Sequence, residues 1–264
     1  MSLHESPIPA LALSLGGAIP VLGFGTWPMQ GTDCYDAVRC ALDVGYRHID
    51  TATTYENEAE VGRAIDDSGV ARHELFITTK LYPTHAGRER QVIADSLRNL
   101  RTDHVDLWLI HCPPINDPSA PIWRQLLEIR DAGFATAVGV SNYSTDQVDE
   151  LIEATGVAPA VNQIPWSPRQ YDETRLAQAR ARGVVVEGYS PFRGSDLAEP
   201  VLTEVAAAHR VTAAQVILRW HVQRDTVVIP KSASPDRIAS NFDIWNFNLD
   251  DDELARIDSL ALRP

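Results

Sequence analysis

Cysteine is scarce in this chain, basic residues are outnumbered, and no long apolar run goes unbroken. The three cysteines, Cys34, Cys40 and Cys112, are odd in number and form no Cys-x-x-Cys pair. This argues against a disulfide framework and against a bound metal, and it favours a reducing, cytoplasmic setting. Only 23 basic residues stand against 36 acidic ones, a net charge of −13. A phosphate backbone is repelled by such a surface, so nucleic acid is excluded as the main partner. The apolar stretch 11–29 is interrupted by Gly16-Gly17, Pro20, Gly23 and Gly25, and the first ten residues carry no basic cluster. Neither a membrane span nor a secretory leader is expected. Linkers, low-complexity tracts and long repeats are also missing.

What remains is an ordinary globular composition, 44% hydrophobic and 22% charged over 264 residues, enough for one domain spanning 1–264 with a large core. Short β-rich runs alternate with amphipathic helical stretches. The runs are Val21–Thr26, His48–Thr51, Leu75–Lys80, Val105–His111, Thr136–Ser141, Ala160–Ile164, Val184–Ser190 and Thr226–Pro230. A helix follows each of them, with the stretches near 34–44, 58–67, 88–100, 122–132 and 173–182 read by periodicity and glycine stops. Ser144…Gln147 and Thr212…Gln215 read as capping boxes for two more, and Ser234-Pro235 opens the eighth.

Eight strand–helix units in strict alternation predict an α/β fold, a closed (β/α)8 TIM barrel. An open doubly wound sheet shares the alternation, but Gly23-Phe-Gly25-Thr-Trp-Pro28 lacks the third glycine of a dinucleotide fingerprint. Leu11–Leu15 and Ile19–Leu22, flanking Gly16-Gly17, predict a β-hairpin lid on one barrel end. A final helix near Asp250–Leu260 lies outside the eight units.

In such a barrel the strand C-terminal ends converge on the chemistry. Asp50 ends the second run, Lys80 the third and His111 the fourth, while Tyr55 follows Asp50 in a polar loop. Taken singly, each has a structural explanation. Together they suit carbonyl chemistry. A phenol with an ordinary pKa of about 10 donates a proton poorly near neutrality unless a neighbour stabilises its phenolate. A lysine ammonium does that, and a carboxylate keeps the lysine charged. An imidazole N–H opposite can orient a carbonyl oxygen. No serine or cysteine nucleophile has an evident base beside it, which disfavours hydrolysis.

The motifs Gly-Phe-Gly-Thr-Trp (23–27), Ile-Asp-Thr-Ala-x-x-Tyr-x-Asn-Glu (49–58), Thr-Thr-Lys (78–80), Asp-Leu-Trp-Leu-Ile-His-x-Pro (106–113), Gly-Val-Ser-Asn (139–142), Asn-Gln-Ile (162–164), Tyr-Ser-Pro (189–191) and Ile-Pro-Lys-Ser (229–232), all in order, resemble those of the aldo-keto reductases. The resemblance is to short-loop members and covers about 20–245. It implies an NADPH-dependent reductase acting on aldehydes, α-dicarbonyls or keto-sugars, a small-molecule enzyme working as a monomer. It implies the catalytic tetrad Asp50, Tyr55, Lys80 and His111, with Tyr55 as proton donor and Lys80 lowering its pKa. For the cofactor it implies Ser141, Asn142 and Gln163 on the carboxamide, Tyr189 stacked on the nicotinamide, Ser190 along the pyrophosphate, and Lys231, Ser232, Arg237 and Asn241 around the 2′-phosphate and adenine. Two cations and a hydroxyl just after the eighth run also form an anion site on chemical grounds.

The chain departs from the family at His111-Cys112-Pro113, where tryptophan is common in place of Cys112, at Pro165-Trp166-Ser167-Pro168, and at Phe192. These changes bear on the substrate. Trp27, Tyr55, His111, Cys112 and Trp166 are the expected pocket wall, Cys112 as a small wall residue. The short segments 114–121 and 193–200 imply an open site. A nicotinamide-binding regulatory barrel without turnover, and a barrel lyase or isomerase, are the competing readings.

Overall fold

The computed structural model describes residues 8–116 and 118–261. Most of the first ten residues, used above in weighing a leader, lies outside that range. Two short strands, β1 (Ala10–Ala12) and β2 (Ala18–Pro20), pair antiparallel with Leu11 opposite Ile19. Eight parallel strands follow: β3 (Phe24–Gly25), β4 (His48–Asp50), β5 (Phe76–Leu81), β6 (Val105–Ile110), β7 (Ala135–Ser141), β8 (Val161–Pro165), β9 (Val185–Tyr189) and β10 (Val227–Val228). They neighbour one another in chain order. The bridge between Leu22 and Val228 closes the ring, with Gly23 N–H donating to the Val228 carbonyl at 2.9 Å and Gly25 N–H to that of Pro230 at 3.1 Å. The expected (β/α)8 barrel is therefore observed.

Among the described residues ten helices surround it: α1 (Gly31–Val44), α2 (Glu58–Ser68), α3 (Glu89–Leu100), α4 (Ala120–Asp131), α5 (Thr145–Thr155), α6 (Glu173–Ala181), α7 (Pro200–His209), α8 (Ala213–Gln223), α9 (Pro235–Phe242) and α10 (Asp251–Asp258). The capping boxes Ser144/Gln147 and Thr212/Gln215 form as read, and Asp250/Glu253 makes a third. α7 is additional to the sequence reading, which placed one helix, not two, between the seventh and eighth strands. It begins at Pro200 without a side-chain cap, so its start carries no polar signal. Together α7 and α8 are apolar and long enough to span a bilayer, but they meet at 89°; among the described residues no single helix meets that criterion.

The larger apolar core lies between sheet and helices, around Trp108, Trp123, Tyr143 and Trp220, all fully buried. α2 and α3 approach so closely at Gly62 that a Cβ there would stand 2.2 Å from the Asn99 carbonyl oxygen. A second core fills the barrel at the end where strands begin, with Phe76, Leu107, Leu109, Val161 and Val227 packed under Leu13 and Ile19 of the hairpin. The hairpin lid thus plugs the bottom of the barrel, leaving the strand C-terminal ends as its mouth.

Candidate active site

Alternation along the strands turns every second side chain inward. On β4 these are His48 and Asp50, on β5 Thr78 and Lys80, on β8 Gln163 and on β9 Glu187. They form a polar layer where barrels usually carry aliphatic side chains. His48, Thr78, Lys80 and Glu187 are fully buried, and Asp50 and Gln163 nearly so.

Lys80 is the hub. Its Nζ donates to both Asp50 oxygens at 2.7 and 2.8 Å, to the Thr51 carbonyl at 2.8 Å, and lies 3.4 Å from the Tyr55 hydroxyl. Burial alone would lower the Lys80 pKa, but Asp50 and Tyr55 outweigh it and hold the ammonium above its ordinary value. Burial pushes Asp50 up, while Lys80 and Gln163 pull it back. Tyr55 ends a short 3₁₀ turn, Thr53–Tyr55, fixed by a bond from the Thr53 hydroxyl to the Lys80 carbonyl at 2.9 Å. That turn places the phenol over the lysine.

The expected acidification of Tyr55 is not what the free site displays. Burial raises its pKa, and the opposing pull of Lys80 does not overcome that rise. Lys80 favours the phenolate without dislodging the proton in advance, so the phenol stays protonated at neutral pH.

His111 stands just past β6, its ring 5.6 Å from that of Tyr55. Burial, then the Lys80 charge, hold it down to about 4, so it is a neutral imidazole. Thr54 Oγ1 lies 3.2 Å from Nδ1, which leaves Nε2 without a partner among the described residues. Sequence reading missed Thr54, although it sits beside Tyr55 in the same motif.

Above these groups opens a cavity of about 720 Å³, walled by Trp27, Tyr55, His111, Ser141, Asn142, Gln163, Tyr189, Ser190, Phe192, Arg193 and Lys231 among others. Trp27 is 57% exposed at the rim, its ring 5.1 Å from that of Tyr55. Asn142 is internally committed: its amide donates to the His111 carbonyl and to Ser141 Oγ, both at 3.0 Å, and its oxygen accepts from the Tyr189 hydroxyl at 2.8 Å. Both it and Ser190 have positive φ, 65° and 53°. Gln163 Nε2 donates to Asp50 Oδ2 at 2.7 Å and to Glu187 Oε2 at 3.0 Å. With both amide hydrogens used, Gln163 presents only its oxygen elsewhere.

Lys231 is exposed on the rim, and Arg237 Nε approaches Ser232 Oγ at 3.4 Å. Ser232 and Asn241 are both buried and form no part of the cavity wall. Two expected wall residues are displaced. Trp166 is 1% exposed, its ring against Tyr171 at 6.0 Å and its carbonyl 3.1 Å from His221 Nε2. Its backbone N–H pairs with the Tyr189 carbonyl, so the chain follows β9 past Gly188 and turns the indole away from the mouth. Cys112 also stands outside the wall, its thiol near the Tyr82 hydroxyl and held above its ordinary pKa by burial. Among the described residues no group of acidic, histidine or cysteine side chains could hold a metal ion.

Comparison with known proteins gives the family. The sequence model of the Aldo/keto reductase family matches residues 21–262. The chain is 44% identical to morphine 6-dehydrogenase of Pseudomonas putida, covering 96% of this chain and 91% of that protein. It is 39% identical to methylglyoxal reductase DkgA of Escherichia coli K12, covering 95% and 92%. A solved Bombyx mori aldo-keto reductase in complex with NADP superposes with a TM-score of 0.91 at 33% identity, over 97% of this chain and 94% of that one. The chain belongs to the aldo/keto reductase family of oxidoreductases.

Proposed function

We propose that this protein reduces aldehydes and ketones to alcohols with NADPH, Tyr55 supplying the proton to the carbonyl oxygen. One observation carries the reading: Lys80 Nζ lies between the Asp50 carboxylate, at 2.7 and 2.8 Å, and the Tyr55 hydroxyl, at 3.4 Å. A phenol surrendering its proton becomes an anion, and an ammonium already desolvated and anchored beside it stabilises that anion without reorganising. NADPH supplies the hydride that reaches the carbonyl carbon. Every other part of the task falls to the chain.

Neutral His111 donates through Nε2 when the Thr54 hydroxyl engages Nδ1, and so orients the carbonyl oxygen toward Tyr55. The cavity's chemistry fits a nicotinamide cofactor. Gln163 offers an amide oxygen, and Tyr189 an aromatic face. At Gly25 a Cβ would come within 3.0 Å of the Ile229 carbonyl, so the backbone there has no room for a side chain. Ser141 and Asn142 lie beside Gln163, and Ser190 and Arg193 border the strand-end loop. Lys231, Ser232 and Arg237 are the groups proposed to read a 2′-phosphate, with Asn241 behind them, which favours NADPH over NADH.

The substrates proposed are small carbonyls and α-dicarbonyls, in keeping with a relative named for methylglyoxal reduction. Keto-sugars are also within the reading. Trp27, Tyr55, His111 and Phe192 form the wall that meets them. Tyr55→Phe is expected to lower kcat by about 10²–10⁴-fold while NADPH still binds, as read by cofactor fluorescence. Wild-type turnover in that variant across an aldehyde, dicarbonyl and keto-sugar panel would remove Tyr55 from the role. Tight NADPH binding by the unmodified protein with no turnover on the same panel would favour a binding-only barrel.

A further inference from the structure

The polar layer holds a second carboxyl that the proton-donor reading leaves without a task. Glu187 interrupts the apolar run of β9 and is fully buried. Its register partner on β8 is Gln163, whose amide nitrogen joins the two carboxyls, reaching Asp50 Oδ2 at 2.7 Å and Glu187 Oε2 at 3.0 Å. The remaining Glu187 oxygen, Oε1, has no hydrogen-bond partner and lies 3.5 Å from His48 Nε2. Thr78 Oγ1 meets that same nitrogen at 3.1 Å.

The titratable groups facing Glu187 are Asp50 and His48 from β4 and Lys80 from β5; from β8 comes only the neutral Gln163. Lys80 is the one fixed cation among them, and it touches Asp50. His48 cannot offset a second anion, because burial holds it neutral, down to about 3. An ionised Glu187 would therefore be a buried charge answered only by an amide dipole, which protonation avoids. Burial, then the charge on Asp50, push Glu187 up to about 8. With the proton on Oε1, that hydroxyl points to His48 Nε2 and Oε2 is the carbonyl that Gln163 requires. Both Glu187 oxygens then have a partner of the right kind, and His48 Nδ1 keeps none.

We propose that Glu187 is a positioning residue of the reductase site: as a neutral acid it holds the Gln163 amide, and through it Asp50, so that Lys80 serves Tyr55 against a single buried anion. This rests on the proton-donor reading of Tyr55. Ionising Glu187 adds negative charge behind Asp50 and opposes the phenolate that forms as Tyr55 gives up its proton. Carbonyl reduction therefore weakens as Glu187 titrates. A glutamine at this position keeps the carbonyl acceptor and cannot ionise.

The test combines kinetics with a measurement that needs no turnover. Reduction of an aromatic aldehyde by NADPH is followed from neutral to alkaline pH in the wild type, Glu187→Gln and Glu187→Leu, with Tyr55→Phe as control. Glu187→Gln is expected within about threefold of wild-type kcat at neutral pH, with the lowest alkaline ionisation gone from its profile. Glu187→Leu, which offers Gln163 no acceptor, is expected to lose about tenfold or more in kcat with a smaller change in KM. Infrared difference spectra of the cofactor-free protein between neutral and alkaline pH should contain a protonated carboxylic-acid band that vanishes in Glu187→Gln. A profile of Glu187→Gln superimposable on wild type, a loss in it as deep as in Glu187→Leu, or no such band overturns the proposal. Should Glu187→Leu not fold, the profile and band of Glu187→Gln decide alone. Turnover retained in Tyr55→Phe would instead overturn the proton-donor reading, and the infrared band would still test the proton on Glu187.

Discussion

The chain has only two lysines, Lys80 and Lys231, and they stand in opposite kinds of surroundings. Lys80 is fully buried, with three oxygens at 2.7–2.8 Å. Lys231 is exposed on the rim, next to an Arg237–Ser232 contact stretched to 3.4 Å. The inner cluster is saturated and set before any ligand arrives, which is what stabilising a developing charge demands. The outer cluster keeps its hydrogen-bonding capacity open, as suits a site that must capture and release an anion. One kind of residue thus performs two tasks, and the number of committed partners separates them.

Removing the inner cation should have the largest effect. Lys80→Met is expected to lower kcat by about 10³-fold and, by leaving Asp50 buried without its cation, to cost about 3–5 kcal/mol in stability. Adding Asp50→Asn should restore most of the stability and none of the turnover. Denaturant titration beside steady-state kinetics reads both. Recovery of turnover in the double variant would show that the pair is structural.

Lys231→Ala comes next. It is expected to raise Kd for NADPH by about 10–100-fold, and for NADH by less than about threefold, in keeping with one lost charge-assisted bond. Equal effects on both cofactors would sink the 2′-phosphate assignment. Arg237→Ala should act in the same direction, less strongly.

The buried histidines and Glu187 should also make stability respond to pH. Burial lowers His48 to about 3, and His111 and His221 to about 4, from 6.5. Unfolding exposes them, so their stabilisation is full above 6.5 and is lost as pH falls toward 4, by up to about 1.4 kcal/mol per pH unit for each proton. Glu187 has the opposite sign. Raised from 4.5 to about 8, it contributes fully below 4.5 and loses that contribution as pH rises to about 8. Stability measured by denaturant should therefore peak near neutrality, and Glu187→Gln should flatten the alkaline side. The smallest contrast is with salt. Because exposed charges are screened and buried ones are not, added salt should raise KM for NADPH and leave kcat nearly unchanged.

The barrel and the four groups at its mouth were legible because their signal is local. A titratable residue closing an apolar run marks a strand end, and three consecutive runs end that way. The capping boxes were legible for the same reason, each being four residues of self-contained chemistry. What escaped depends on other elements. Glu187 sits inside an apolar run, and only β4 and β8 reveal that it faces a histidine and an amide. Trp166 reads as a loop residue, yet pairing with β9 turns it into the core between sheet and helices. β3 and β10 shrink to two residues each because the closing pair of strands shares few backbone bonds, which no periodicity reports. The sign of the Tyr55 shift was missed because sequence reveals the neighbour that lowers a pKa but not the burial that raises it.

That short closure has a mechanical consequence. The ring is fastened by a bridge at Leu22–Val228 and a few backbone bonds around it. Immediately beyond it Gly25, Thr26 and Trp27 form one side of the cavity, and Ile229 and Lys231 the other. A molecule seated there lies across the joint like a clasp on a bracelet. Exchange of the Gly23, Gly25 and Val228 amides should then slow as the cavity fills, by the factor that binding adds to the closed state. The weakest joint of the barrel becomes the place where occupancy is felt as stiffness.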